Sequence, residues 1–248
     1  MNLDLLVDLY KTNPRQGPGG DQQTVQALRL AELFKNSKML QIADIGCGTG
    51  ASTMVLAKNL NAKITAVDLF NDFLELLKDE AKKQKIDHRI DTLVCSMDQL
   101  PFKKNTFDVI WSEGAIYNIG FAKGIKIFRQ FLKPGGILAL SEITWLTQKR
   151  PDEIAKYWQS QYPEIATATQ KIRVLERQGF VLKGYFALPE TCWIENYYNP
   201  LKNSFGDFLS KHPCDNAKLI VESEKKEMSL YQKFRAYYGY GFYIARKI

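Results

Sequence analysis

The apolar run Met39-Leu40-Gln41-Ile42-Ala43-Asp44-Ile45 leads straight into Gly46-Cys47-Gly48-Thr49-Gly50, and a helix is expected over about 52–60. A strand, a glycine turn and a helix in that order constrain the fold more than any other feature of the chain. Gly46 permits the sharp reversal. Gly48 and Gly50 leave bare backbone for a ligand, and the helix aims the unbonded N–H groups of its first turn at polar atoms. Eighteen residues beyond Gly50, Asp68 ends a second expected strand at 63–68. A carboxylate there can accept both hydroxyl hydrogens of a ribose.

The alternation continues. Phe70, Phe73, Leu74, Leu77 and Ala81 mark an amphipathic helix. Strands are expected at 90–96, 107–112 and 137–141, with a helix at about 121–132 that ends at Lys133-Pro134-Gly135-Gly136. Short apolar strands separated by helices imply a parallel sheet covered on both faces. Upstream, Leu3–Tyr10 reads as a short helix. The Gly- and Pro-rich loop Asn13-Pro14-Arg15-Gln16-Gly17-Pro18-Gly19-Gly20 follows, and then a helix capped by Asp21 that buries Ala27, Leu30, Ala31 and Phe34. After residue 150 come two helices (152–161 and 164–178), a strand at 180–188, a helical aromatic stretch and a terminal strand at 241–246. The reading is one domain over 1–248, with an N-terminal helix and flap at 1–20. A helical, aromatic insertion at 190–238 serves as a lid or a dimer contact.

Composition agrees with one folded unit: 248 residues, 45% apolar and 25% charged. The net charge of +7 is uneven. Residues 1–120 hold 14 Lys+Arg against 15 Asp+Glu, leaving 20 against 12 for the rest. The excess is scattered along helices, as on a solvated face, and forms no dense basic block. Four cysteines without metal-ligand spacing read as reduced thiols of a cytoplasmic protein, and no metal site is expected. Met1 to Leu6 carry no basic region or long apolar run, so neither a signal peptide nor a membrane span is expected.

Asp44-Ile45-Gly46-Cys47-Gly48-Thr49-Gly50 resembles motif I of the class I S-adenosylmethionine-dependent methyltransferases. Further stretches fall in that family's order: Val67-Asp68-Leu69, then Cys95-Ser96-Met97-Asp98-Gln99-Leu100-Pro101-Phe102. Phe107-Asp108-Val109-Ile110-Trp111-Ser112-Glu113-Gly114 and Leu132-Lys133-Pro134-Gly135-Gly136 complete the set. Within the family the chain is similar to the small-molecule enzymes of the ubiquinone/menaquinone-biosynthesis type.

The resemblance implies a doubly wound, Rossmann-like α/β fold. Its seven-stranded sheet is mostly parallel, with an antiparallel last strand and the helical insertion between the last two strands. It implies S-adenosyl-L-methionine as cofactor, with Gly46, Cys47, Gly48, Thr49 and Gly50 facing its methionyl part and ribose. Asp44 would orient the amino group, Asp68 hold the ribose, and Leu69 flank the adenine. Met97 and Asp98 would cover the other adenine face, and Ser112 and Glu113 would sit beneath the sulfonium.

The loop with Arg15 and Gly17 suits a flap over the cofactor carboxylate, with Tyr10 beside it. Ligands of an open α/β sheet lie beyond the carboxyl ends of the strands. That places a small-molecule acceptor near Glu113, Tyr117 and Glu142, under an insertion whose Trp193, Tyr197, Tyr198, Phe205 and Phe208 supply an aromatic wall. Glu113, Tyr117 and His212 are the candidate catalytic groups: Glu113 as a base, Tyr117 through its hydroxyl or ring face, His212 from an insertion loop. Beside these stand cofactor contact or helix capping for Glu113, packing for Tyr117 and a surface place for His212. A nicotinamide oxidoreductase would share the glycine turn, but Asp44, Pro101-Phe102 and Lys133-Pro134-Gly135-Gly136 argue against it. A nucleic-acid methyltransferase lacks its Asn/Asp-Pro-Pro-aromatic signature here. A binding-only homologue would keep motif I intact.

Overall fold

The computed structural model describes residues 3–35 and 38–248. Met1 and Asn2, which open the 1–20 stretch, lie outside the described residues. The first helices are α1 (Leu3–Tyr10) and α2 (Asp21–Leu30). Then β1 (Leu40–Ile45), α3 (Ala51–Asn59), β2 (Ala62–Asp68), α4 (Asn71–Lys83), β3 (Ile90–Val94), β4 (Phe107–Glu113), α5 (Phe121–Phe131) and β5 (Leu132–Trp145) alternate along the chain. The later half runs α6 (Asp152–Gln161), β6 (Ala166–Thr167), α7 (Ala168–Arg177) and β7 (Phe180–Ala187). After these come α8 (Glu190–Trp193), a π-helical turn (Ile194–Tyr198), α9 (Asn199–Lys211), α10 (Asp215–Phe234) and β8 (Tyr238–Lys247).

The sheet order is β3-β2-β1-β4-β5-β8-β7, with the two-residue β6 added beside the end of β5. Neighbours from β3 to β5 run parallel, whereas β8 is antiparallel to both β5 and β7. This is the expected mostly parallel sheet with a reversed last strand. Chain direction changes at β1, between β2 and β4, so the crevice of an open α/β sheet falls at the carboxyl end of β1.

Strand residues alternate between two cores, as a period of two requires. Ile42, Val109, Trp111 and Ala139 face one, with α2, α3 and α4. Ala43, Ile45, Ile110, Leu138 and Leu140 face the other, with α5 and α7. The segment between β7 and β8 adds Trp193, Tyr197, Tyr198, Phe205, Phe208 and Tyr231 to the first core.

Local boundaries depart from expectation for physical reasons. Asp21 is the first residue of α2 rather than its cap; Gly20 holds the capping position without a side-chain bond. Because α2 stops at Leu30, Phe34 falls on a 3₁₀ turn and is 46% exposed, and Leu28 takes the buried place. α7 starts at Ala168, not 164, because Thr167 and Gln170 form a reciprocal capping box. β5 extends well past both ends of 137–141, since β4 and β8 supply partners along most of its length.

Candidate active site

Asp44 stands at the end of β1, fully buried, where the glycine turn begins. Its Oδ2 accepts hydrogen bonds from Ser52 Oγ (2.8 Å) and Thr53 Oγ1 (2.7 Å) in the first turn of α3, while Oδ1 is buried with no partner. Burial pushes this carboxyl up to about 7, against the pull of the two hydroxyls. Asp68, at the end of β2, accepts from the Gly48 N–H (2.8 Å) and the Phe70 N–H (3.0 Å). It therefore pins the turn while its rim stays open: the next residue, Leu69, is 54% exposed. The amides of Gly46 and Cys47 are spent on Val67 O, at 2.8 and 3.0 Å. They hold the turn to β2 and do not face outward. The Cys47 thiol is enclosed, and burial pushes it well above its ordinary value.

A residue that sequence reasoning passed over sits on this turn. Gln16 Oε1 accepts from the Thr49 N–H (2.9 Å) and the Thr49 hydroxyl (3.1 Å), and its Nε2 donates to Tyr10 O and Asn13 O. Gly48 has φ of 56°, and a Cβ there would collide with Gln16 Oε1. The loop after α1 is thus docked on the turn by a neutral amide rather than by Arg15 or Gly17. No local pattern announces it, because the Thr49 contact joins residues 33 positions apart.

Arg15 reaches elsewhere. Its guanidinium bonds Glu113 Oε2 (3.1 Å) and Asp21 Oδ1 (2.9 Å). Glu113 Oε1 accepts from Thr24 Oγ1 (2.7 Å) and Trp111 Nε1 (2.9 Å). Both oxygens of Glu113 are therefore occupied, and the residue ties β4, α2 and the loop together. The buried Ser112 hydroxyl donates to Ile45 O (2.8 Å) and joins β4 to β1 at the foot of the glycine turn. Gly17 has open space around it.

On the β3 side, Met97 Cε lies 3.3 Å from where a Cβ on Gly46 would be. Asp98 accepts from Ser96 Oγ (2.6 Å) and from Lys123 Nζ (3.3 Å), which hold its carboxyl below the usual range. His212 does not join the cleft residues. Its Nε2 lies 2.6 Å from Asp8 Oδ2, and the same carboxylate receives Lys11 and Lys211. Burial raises the Asp8 carboxyl, but these partners together hold it well below the usual range. The cluster fastens the end of α9 to α1, which a loop position in the sequence does not reveal.

Beyond β4 a second region opens. Tyr117 is 42% exposed. Yet desolvation by the surrounding protein, with Glu227 and Glu142 nearby, pushes its phenol to about 12. Surface that solvent reaches between enclosing walls is the wall of a cleft. Its ring meets Tyr162 edge-on at 6.2 Å. Glu142, wholly buried on β5, pairs with Lys171 at 3.4 Å, and burial pushes its carboxyl to about 6 despite that cation. Tyr240 on β8 packs against Gly114, whose φ of 61° and close contact with that ring exclude a side chain. On the far wall, Tyr10 donates to Glu224 (2.8 Å) and Tyr198 to Glu227 (2.9 Å). The loop closes this wall as well: Asn196 Nδ2 donates to Gly19 O (2.8 Å), and Asn13 Nδ2 to Tyr197 O (3.3 Å).

Comparison with known proteins places this geometry. Residues 43–140 match the family model "Methyltransferase domain". The erythromycin 3''-O-methyltransferase of Saccharopolyspora erythraea is 30% identical over 232 residues, covering 87% of this chain and 70% of that one. The phosphoethanolamine N-methyltransferase of Triticum aestivum is 26% identical over 163 residues, 65% of this chain but 31% of that longer protein. Among solved structures, Escherichia coli YjhP superposes with a TM-score of 0.84 at 18% identity, covering 98% and 99% of the two chains. A Geobacter sulfurreducens S-adenosylmethionine-dependent methyltransferase in complex with S-adenosylhomocysteine gives 0.80 at 16% identity, covering 98% of each. At those identities the structures speak to the fold, and the sequence relatives carry the family. The chain belongs to the class I S-adenosylmethionine-dependent methyltransferases.

Proposed function

We propose that this chain binds S-adenosylmethionine across the carboxyl ends of β1, β2 and β4 and transfers its methyl group to a small molecule held beneath the segment between β7 and β8. The observation that carries the reading is Asp44: a buried carboxylate at the foot of the glycine turn, with one oxygen satisfied and the other, Oδ1, bare. An ammonium group completes that oxygen, and a nucleotide lacking one leaves it orphaned. Asp68 keeps lone pairs for ribose hydroxyls beyond those its two backbone donors use. Leu69, Met97 and Asp98 edge the place an adenine would take. The cofactor, when bound, supplies a methyl group already activated on a sulfonium.

The chain's own work is alignment and exclusion of water. Gln16 and the loop around it cover the glycine turn, with Arg15 anchored to Glu113; Tyr10, from α1, and Tyr117 wall the acceptor side. We assign the 1–20 stretch the role of flap and the helices after β7 the role of lid. A homodimer through those helices would show as a doubled mass in solution. The likeness to the ubiquinone/menaquinone type rests on motifs of the cofactor half, so it leaves the acceptor open. Four unpaired cysteines, and no helix among the described residues long and apolar enough to cross a membrane, support residence in the cytoplasm.

Calorimetric titration with S-adenosylmethionine and with NAD(H), on wild type and Asp68→Ala, tests the reading. Micromolar binding of the methyl donor alone, lost in the variant, supports it. Preference for NAD(H), or no binding of the methyl donor, overturns it.

A further inference from the structure

The wall of the cleft built by α10 carries two carboxylates that, among the described residues, form no ion pair. Glu224 and Glu227 lie three residues apart on one helix face, in phase with buried Val221 and Tyr231. Each has one oxygen fixed by a tyrosine hydroxyl, Tyr10 for Glu224 and Tyr198 for Glu227. Glu224 Oε2 is buried and has no hydrogen-bond partner. Among the described residues neither carboxylate takes part in an ion pair; Lys225 and Lys226 between them lie over the rings of Phe205 and Tyr157.

The other enclosed glutamates of the site are completed differently. Glu113 has Arg15 at 3.1 Å and Glu142 has Lys171 at 3.4 Å. Both residues are half-buried, and two like charges held close and partly out of water are costly unless a cation joins them. Burial raises both carboxyls, Glu224 to about 7, with each other's charge adding to the effect on Glu224.

The surroundings suit a cation of a particular kind. The rings of Tyr10 and Tyr197 stack at 6.4 Å, and Tyr198 lies 5.1 Å from Tyr197. A relay of hydroxyls, Tyr197 to Tyr10 to Glu224, directs its hydrogens at the carboxylate. Beside these donors remain the unpartnered Glu224 Oε2 and the half-buried ring of Tyr10, a lone pair and an aromatic surface that attract an ammonium group carrying hydrocarbon more than a hydrated metal ion. Tyr10 also touches the flap, since its carbonyl accepts from Gln16. The acidic wall and the glycine turn are thereby parts of one site.

We propose that Glu224 and Glu227, oriented by the hydroxyls of Tyr10 and Tyr198 and flanked by the ring of Tyr10, bind a positively charged amine of the methyl acceptor. The inference rests on the methyltransferase reading and names the acceptor's class within it.

The test is calorimetric titration of the full chain, first with S-adenosylhomocysteine and then, on the loaded protein, with choline, 2-phenylethylamine and the neutral choline isostere 3,3-dimethylbutan-1-ol. At least one cation is expected to bind, with the isostere at least tenfold weaker. Glu224→Gln and Glu227→Gln should each weaken the cation at least fivefold, without change in S-adenosylhomocysteine affinity. Glu222→Gln, exposed on the same helix, should leave the cation unaffected. Failure of both cations to bind loaded wild type, equal binding of the isostere, or full cation affinity in the Gln variants overturns the proposal. Should the variants unfold, the discrimination between cation and isostere by wild type decides alone. Absence of S-adenosylhomocysteine binding counts against the methyltransferase reading instead, and the cation series on the unloaded protein still reads the acidic wall.

Discussion

Asp44 and Glu113 are enclosed carboxylates of the same cleft, and they use their lone pairs in opposite ways. Glu113 accepts from Thr24 and Trp111 on one oxygen and from Arg15 on the other, so three donors tie it into the protein frame. Asp44 keeps Oδ1 free. Replacing each should separate binding from stability. Asp44→Asn is expected to weaken S-adenosylhomocysteine at least tenfold while the melting temperature holds or rises, because a buried charge without a cation has been removed. Glu113→Ala leaves the enclosed Arg15 with only the exposed Asp21 as partner and should cost about 3 kcal/mol of unfolding free energy, the lower end for breaking a buried pair. Denaturant melts of the two variants check both. A stable Glu113→Ala with lost turnover would restore that residue to the chemistry.

At the scale of elements, the half of the chain that holds the cofactor motifs was legible because strand, glycine turn and carboxylate are local in sequence. The parallel, helix-covered sheet and Asp68 at the end of its second strand follow from periodicity and from what a tight strand-to-helix turn demands, whereas the reversed last strand and the role of Asp44 came with the family resemblance. The acceptor side was less open to reading. The stretch Val221-Glu222-Ser223-Glu224-Lys225-Lys226-Glu227 has the look of a solvated face, and only the spacing 221, 224, 228, 231 reveals that Glu224 shares a side with Val221 and Tyr231. Gln16 and the Asp8–His212 pair depend on contacts between residues 33 and 204 positions apart, beyond any local pattern. Removal of residues 1–20 takes away Gln16, Arg15 and Tyr10 together. It should lower cofactor affinity, measured by the same titration; unchanged affinity would deny the flap its role. Gln16→Ala is a milder version and should give a smaller loss of the same sign.

For the molecule as a whole, the enclosed carboxylates set how stability varies with pH. Burial raises the carboxyls of Asp44 to about 7, Glu142 to about 6 and Glu224 to about 7 in the folded chain. Between their ordinary values near 4 and these, the folded chain holds protons that the unfolded chain has released. Unfolding free energy therefore falls as pH rises from about 4.5 to 7 and levels off above. Asp8, held low by His212, Lys11 and Lys211, contributes the opposite slope, but only in more acidic solution. The ligand-free protein should melt at a lower temperature at pH 8 than at pH 5.5. Saturating S-adenosylhomocysteine should shrink the difference, since its ammonium group stabilises the charged form of Asp44. Scanning calorimetry at both pH values reads this directly, and a melting temperature that climbs with pH contradicts it.

The docking of Gln16 on Thr49 has a kinetic side. With Arg15 on Glu113 and Asn196 on the Gly19 carbonyl, several bonds must open together before anything passes over the glycine turn. Under the flap role proposed for it, release of the spent cofactor is expected to wait on this loop, so that its opening, rather than the methyl step, sets the pace of repeated cycles. A first turnover faster than the steady rate, levelled by Gln16→Ala, is the mark such a latch leaves in a stopped-flow trace.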